Sequence, residues 1–179
     1  MSLDTNLELL RDPARADRLT GIMRGIEKES LRVESSGNLA QTPHPKTLGS
    51  ALTHPLITTD FSEALLEFIT APSSSMDSVL KELEEIHRVT YQEIGDELLW
   101  VSSMPCQLSD NDSIPLGQYG SSNIGTMKNV YRQGLGNRYG RLMQTIAGIH
   151  YNFSVPDSLW EDLRDAAGNQ QSLQDFKSD

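Results

Sequence analysis

The sequence predicts an α+β domain, and three observations predict it. Ile22–Val33 reads as a strand that runs into the turn-forming cluster Ser35-Ser36-Gly37-Asn38. Met143–Val155 reads as a second strand, stopped by Pro156. Between them, Ser74–Leu99 places Val79, Leu83, Ile86, Val89 and Ile94 along one side and Lys81, Glu82, Glu84 and Glu85 along the other, the stripe of an amphipathic helix. At 179 residues the chain has one-domain length and can bury a real core.

The remaining elements follow in order. Leu3, Leu7, Leu10 and Ala14 sit near helical spacing, with Pro13 as an interruption, so residues 1–20 form an N-terminal helical segment. The main body spans 21–156. After the turn at Ser36–Asn38, the stretch Gln41–Thr59 is an ordered loop with one short helix, given its three prolines, Gly49 and two histidines. Phe61–Thr70 is apolar enough for either strand or helix. Asp77 supplies capping chemistry for the long helix. Ser102–Gly125, rich in Pro, Gly, Ser and Asn, is a long loop. Thr126–Gly140 is a helix weakened by Gly134 and Gly136. Residues 157–179 are polar, and the last dozen are expected to fray.

Bulk properties exclude several function classes. The formal net charge is -10, which opposes nucleic acid and anionic membrane as partners, since both demand clustered Lys and Arg. A single cysteine, Cys106, permits no internal disulfide. The first residues contain acids and no apolar signal core, and no apolar run approaches the ~20 residues that span a bilayer. These features lead to the expectation of a soluble, cytoplasmic protein. No GxxxxGKS/T phosphate loop occurs, and GSALTH lacks a βαβ context. The run YGSSNIG, Tyr119–Gly125, suits either an anion-binding turn or a flexible loop. Cys106 has no nearby base and reads as a structural thiol.

Three constellations bear chemistry. In IEKESLRV, Glu27 and Glu29 lie two apart on a strand and therefore share a face. Like charges ~4 Å apart repel by about 4 kcal/mol at the effective dielectric of a protein surface. Either that face is open to water or a cation lies between them. Asp60 and Glu67 bracket a second candidate strand, on which Glu63, Leu65, Glu67 and Ile69 would share a face. An acid among apolar neighbours needs a partner, either a divalent ion or an Arg from elsewhere. In HYNF, His150 and Asn152 share a face, as ligands or as satisfied core groups. Four acids and one imidazole together suit Mg²⁺ or Mn²⁺, because hard cations select oxygen donors.

The segments GIEKESLRV, LGSALTHPLITTDFSEALLEFIT, SMPC, QYGSSNIGTMKNVYRQGLGNRYG and MQTIAGIHYNFS, in this order from Gly21 to Val155, resemble the opening of the bacterial glutamate–cysteine ligases. The resemblance implies a glutamine-synthetase-like fold, a curved antiparallel sheet with helices outside. It implies ATP-dependent ligation of the glutamate γ-carboxyl to the cysteine amine through a γ-glutamyl phosphate, the first step of glutathione synthesis. It further implies that Glu27, Glu29, Asp60, Glu67 and His150 ligate Mg²⁺ or Mn²⁺. Phe61, Tyr131, Leu135 and Gln144 would shape the cysteine pocket, and Ile146 and Asn152 would face the glutamate moiety.

Family members are much longer than this chain, and the resemblance fades after Trp160. The expectation is therefore an N-terminal portion, inactive in isolation, with an open sheet edge and with the remaining metal acids and most of the nucleotide site beyond Asp179. Two other readings stand beside it. One is a related carboxylate–amine ligase using a different amine; the other is a non-catalytic module that binds a metal or an amino acid.

Overall fold

The structure, a computed structural model, describes residues 3–178, so Met1, Ser2 and Asp179 of the segments expected at the two termini lie outside the described residues. Strand β1 (Met23–Val33) is the axis of the fold. On one side it pairs antiparallel with β3 (Leu65–Ile69), which pairs in turn with β2 (Ile57–Thr59). On the other side β4 (Leu98–Leu99) pairs with its end at Arg32–Val33, and β5 (Ile149–Ser154) with Met23–Lys28. The sheet is antiparallel and open, as befits the α+β class. The turn expected after β1 forms at Glu34–Asn38, but its return arm shrinks to a single bridge between Val33 and Leu39.

Each face of the sheet has its own apolar cluster. Helix α3 (Met76–Glu93) covers one face, where Ile86 and Ile94 meet Leu48, Ile57, Leu66, Phe68 and Leu99. Its N-cap is Ser75, whose Oγ accepts from the Ser78 N–H, not Asp77, which lies in the first turn near the positive end of the helix dipole. The helix also ends earlier than the periodicity suggests: Gly95, at φ +63°, turns the chain, and Leu98–Leu99 joins the sheet. Val89 of the expected stripe is exposed, and Thr90 takes the inward position with its hydroxyl bonded to the Ile86 carbonyl.

On the opposite face, Leu31, Val33 and Leu65 pack with Phe61, Cys106, Ile114 and Ala147 at one end only. Helix α4 (Asn123–Tyr139), capped by Ser122, lies over this cluster through Leu135. At Gly136 a Cβ would stand 3.1 Å from Arg141 Cγ and in ordinary contact, 3.6 Å, with Phe61 Cζ. The strand expected from Met143 starts later: Leu142–Thr145 is a 3-10 turn, and pairing begins at Ile149.

The polar tail is helical. Helices α5 (Asp157–Ala166) and α6 (Leu173–Ser178) meet through Trp160 and Phe176, and Leu159 is buried. Asp162 on α5 pairs with Arg18 at 2.8 Å and Arg15 at 3.8 Å. This fastens α5 to the N-terminal segment, which consists of α1 (Leu3–Leu9), α2 (Pro13–Ala16) and a 3-10 turn, Asp17–Gly21. Pro13 starts α2, where its missing N–H costs nothing. Among the described residues no helix is long and apolar enough to cross a membrane.

Candidate functional site

Only one end of the face under α4 is apolar; along the same face toward Met23 the strands turn acidic. Alternation places Glu27 and Glu29 with Leu31 on that face, and the register sets Glu29 directly across from Glu67 and Glu27 directly across from His150. Like charges directly opposite in an antiparallel pair are destabilising. Asn152 stands across from Gly25 on the same side. Asp60 follows β2 in the turn that leads into β3, and its charge acts on both Glu29 and Glu67. The five expected ligands are thus one electrostatic group.

Three of the four acids have a local donor. Glu27 accepts from Asn152 Nδ2 at 2.9 Å and lies 3.2 Å from His150 Nδ1. Glu29 accepts the Gly148 N–H at 2.6 Å. Asp60 has Arg132 Nη2 at 3.9 Å, so the arginine supplied from elsewhere meets Asp60 and not Glu67. Glu67 has no hydrogen bond or ion pair among the described residues. Partial burial, together with the charges of Asp60, Glu29 and Glu27, pushes its carboxyl up to about 7, against a slight opposing effect of His150. Burial also raises Glu29, and the Gly148 bond holds it back. Among the described residues no three Asp, Glu, His or Cys side chains close on a single point, because each paired acid turns to its own donor.

The donor set nevertheless fits a hard cation: four carboxylates and one imidazole, with the half-buried Glu67 left unpaired across from Glu29. Glu63, expected on this face with Glu67, belongs elsewhere. It precedes β3, and its buried carboxylate accepts from the N–H groups of His44 (2.9 Å) and Gln118 (2.7 Å), pinning two loops. Pattern alone could not separate this satisfied acid from the unsatisfied one.

The residues of the expected substrate pocket are more dispersed. Phe61 is 1% exposed and packs in the core with Leu135 beside it. Tyr131 projects from α4 into solvent, Ile146 is exposed just after the 3-10 turn, and Gln144 is half-buried within it. Asn152 joins the acidic face through Glu27. Gly148 escaped the sequence reading, since its contribution is a main-chain N–H that no pattern reveals.

Comparison with known proteins identifies the family. The family model of glutamate-cysteine ligase matches residues 7–179, so the match does not stop at Trp160. The glutamate–cysteine ligase of Alcanivorax borkumensis is 58% identical over 176 residues, covering 98% of this chain and 34% of that protein. That of Saccharophagus degradans is 61% identical over 168 residues, covering 94% of this chain and 32% of the relative. Among solved structures, the glutamate–cysteine ligase of Francisella tularensis in complex with AMP superposes with a TM-score of 0.81 at 44% identity, over 86% of this chain and 30% of that one. A bifunctional glutathione synthetase from Pasteurella multocida gives 0.79 at 33% identity, over 93% and 22%. The chain therefore spans about a third of the length of the curated relatives it matches, and it belongs to the glutamate–cysteine ligase family.

Proposed function

We propose that this chain supplies the cation-holding wall of an ATP-dependent ligase that joins the γ-carboxyl of glutamate to the amine of cysteine. The observation that carries the reading is Glu67, half-buried, unpaired and facing Glu29 across the ladder within an acidic group that includes Glu27 and Asp60. In this role Glu27, Glu29, Asp60, Glu67 and His150 hold Mg²⁺ or Mn²⁺. The bound cation offsets the negative charge of ATP and of the phosphoryl group as it moves to the γ-carboxylate. Asn152, anchored to Glu27 beside that wall, would face the glutamate moiety together with Ile146. Phe61 in the core, with Leu135 of α4 packed against the same cluster, backs a cysteine pocket whose rim is Tyr131 and Gln144.

No side-chain nucleophile is needed, because the acyl phosphate forms between the two substrates and the cysteine amine displaces phosphate. The buried Cys106 thiol, with its pKa raised by burial, agrees with a structural role in a reducing cytoplasm. The chemistry is tested by replacing the N-terminal third of the Alcanivorax borkumensis relative with this sequence. ADP release that requires both glutamate and cysteine, and that disappears in Glu67→Ala, is the expected result. Release that proceeds equally with other amines would favour a different carboxylate–amine ligase, and undiminished release in Glu67→Ala would contradict the role given to Glu67.

A further inference from the structure

Glu27, Glu29, Glu67 and His150 sit in the hydrogen-bonded ladder, which fixes where they point. Asp60 lies one residue beyond β2, where its N–H still donates to the Leu65 carbonyl at 3.1 Å, but its carboxylate and carbonyl belong to the turn into β3 and are set by what meets that turn. Two side chains from outside the sheet meet there. The Tyr119 hydroxyl, in a ring only 4% exposed, donates toward the carbonyl oxygens of Thr59 at 2.6 Å and Asp60 at 2.8 Å, and accepts from Thr59 Oγ1 at 2.9 Å. Arg132 of α4 donates its Nε to the same Asp60 carbonyl, brings Nη2 toward the Asp60 carboxylate and stacks its guanidinium 4.4 Å from the Tyr119 ring centre.

We propose that Tyr119, backed by Arg132, is a positioning residue that locks the Asp60 turn so that its carboxylate joins Glu29 and Glu67 around the cation. This rests on the cation-holding role proposed above. Within the run Tyr119–Gly125 the first residue is a buried clamp, and Gly125 packs so tightly that a Cβ would clash with the Tyr119 carbonyl oxygen. The clamp joins three elements distant in sequence. It links the end of β2, the loop before α4 and α4 itself, so packing of α4 is felt at the acidic face. The role given to Tyr119 acts only through Asp60.

The test is a double-mutant cycle on the whole 179-residue chain, with Mn²⁺ alone as the probe. Calorimetric affinity and thermal midpoint are measured for the wild type, Tyr119→Phe, Asp60→Asn and the double variant. Tyr119→Phe keeps the ring beneath Arg132 and removes only the hydroxyl. Expected are a roughly threefold to tenfold loss of Mn²⁺ affinity in Tyr119→Phe, the size of one lost hydrogen bond, and no further loss when it is added to Asp60→Asn. Losses that multiply in the double variant, or a lowered midpoint with unchanged affinity, would overturn the inference and leave the cation reading intact. No Mn²⁺ binding by the wild type, or equal binding by Asp60→Asn, would instead sink the cation reading and this inference with it. Should Tyr119→Phe fail to fold, Arg132→Lys serves in its place, since it keeps a cation near the ring but has no Nε for the Asp60 carbonyl; the same pattern is expected.

Discussion

Strand β1 exposes charge to two different fates on its two faces. On the α3 face, Arg32 is 1% exposed, yet it donates to Glu97 at 2.7 Å, to the hydroxyl and carbonyl of Thr42 and to the Glu63 carbonyl. A few residues earlier on β1, on the acidic face, Glu29 stands across from Glu67 with Glu27 beside it, and no Lys or Arg of either strand shares that face to answer them. The fold evidently can bring a counter-charge to a buried group, since it does so for Arg32. Where it leaves an acid crowded by other acids, the arrangement opposes folding stability and serves something else, and strain of this kind gathers at functional sites.

The contrast can be broken from either side. The largest effect is expected for Arg32→Met, which strands Glu97 and should lower stability to urea by about 3–5 kcal/mol, as for other half-broken buried pairs. A loss under about 1 kcal/mol would mean that the pair is not needed. Glu67→Gln should do the reverse. At pH 8 it removes a penalty, and stability should rise by about 1 kcal/mol, less than the full shift implies because the carboxylate is half open to solvent. The pH dependence gives the sign. Glu67 binds its proton more tightly folded, near pH 7, than its ordinary value of 4.5. Its favourable contribution is complete below that ordinary value and is lost as pH rises toward 7, so wild-type stability should fall across this window more steeply than that of Glu67→Gln. Parallel curves would show that Glu67 is not perturbed.

Smaller effects sharpen the same comparison. In Gly148→Ala the new Cβ would stand 3.3 Å from His150 Nε2 and 3.5 Å from Glu29 Oε2. Stability should change by less than about 1 kcal/mol, while the imidazole nitrogen resonances of His150 shift; unmoved resonances would place that ring elsewhere. Smallest of all, Arg88→Ala removes the exposed Arg88–Glu85 pair on α3 and should leave the thermal midpoint within experimental scatter.

Much of this arrangement was legible in the residues. Strand alternation alone put Glu27 beside Glu29 and His150 beside Asn152, because a period of two is a strong local rule. What alternation cannot show is register across strands, and it was the pairing of β1 with β3 and β5 that set Glu29 against Glu67 and Glu27 against His150. Glu63 and Glu67 share a pattern and differ only in which loops fold over them. Likewise, composition marks residues 157–179 only as polar, because the ion pairs of Asp162 on α5 with Arg15 and Arg18 join segments far apart in sequence, whereas composition reports only local apolar content. The capping of α3 by Ser75 in place of Asp77 turned on where the first helical turn starts, a matter of one or two residues.

The central claim is tested most directly by the thermal midpoint of the wild type and of Glu67→Gln at pH 8, each with and without saturating Mg²⁺. A ligand that binds only the folded state adds about 2.7 kcal/mol at one hundred times its dissociation constant. The wild type should gain several degrees on adding Mg²⁺, and Glu67→Gln, although more stable without it, should gain little. Equal gains in both proteins would mean that the cation binds elsewhere, and the acidic face would lose the role given to it here.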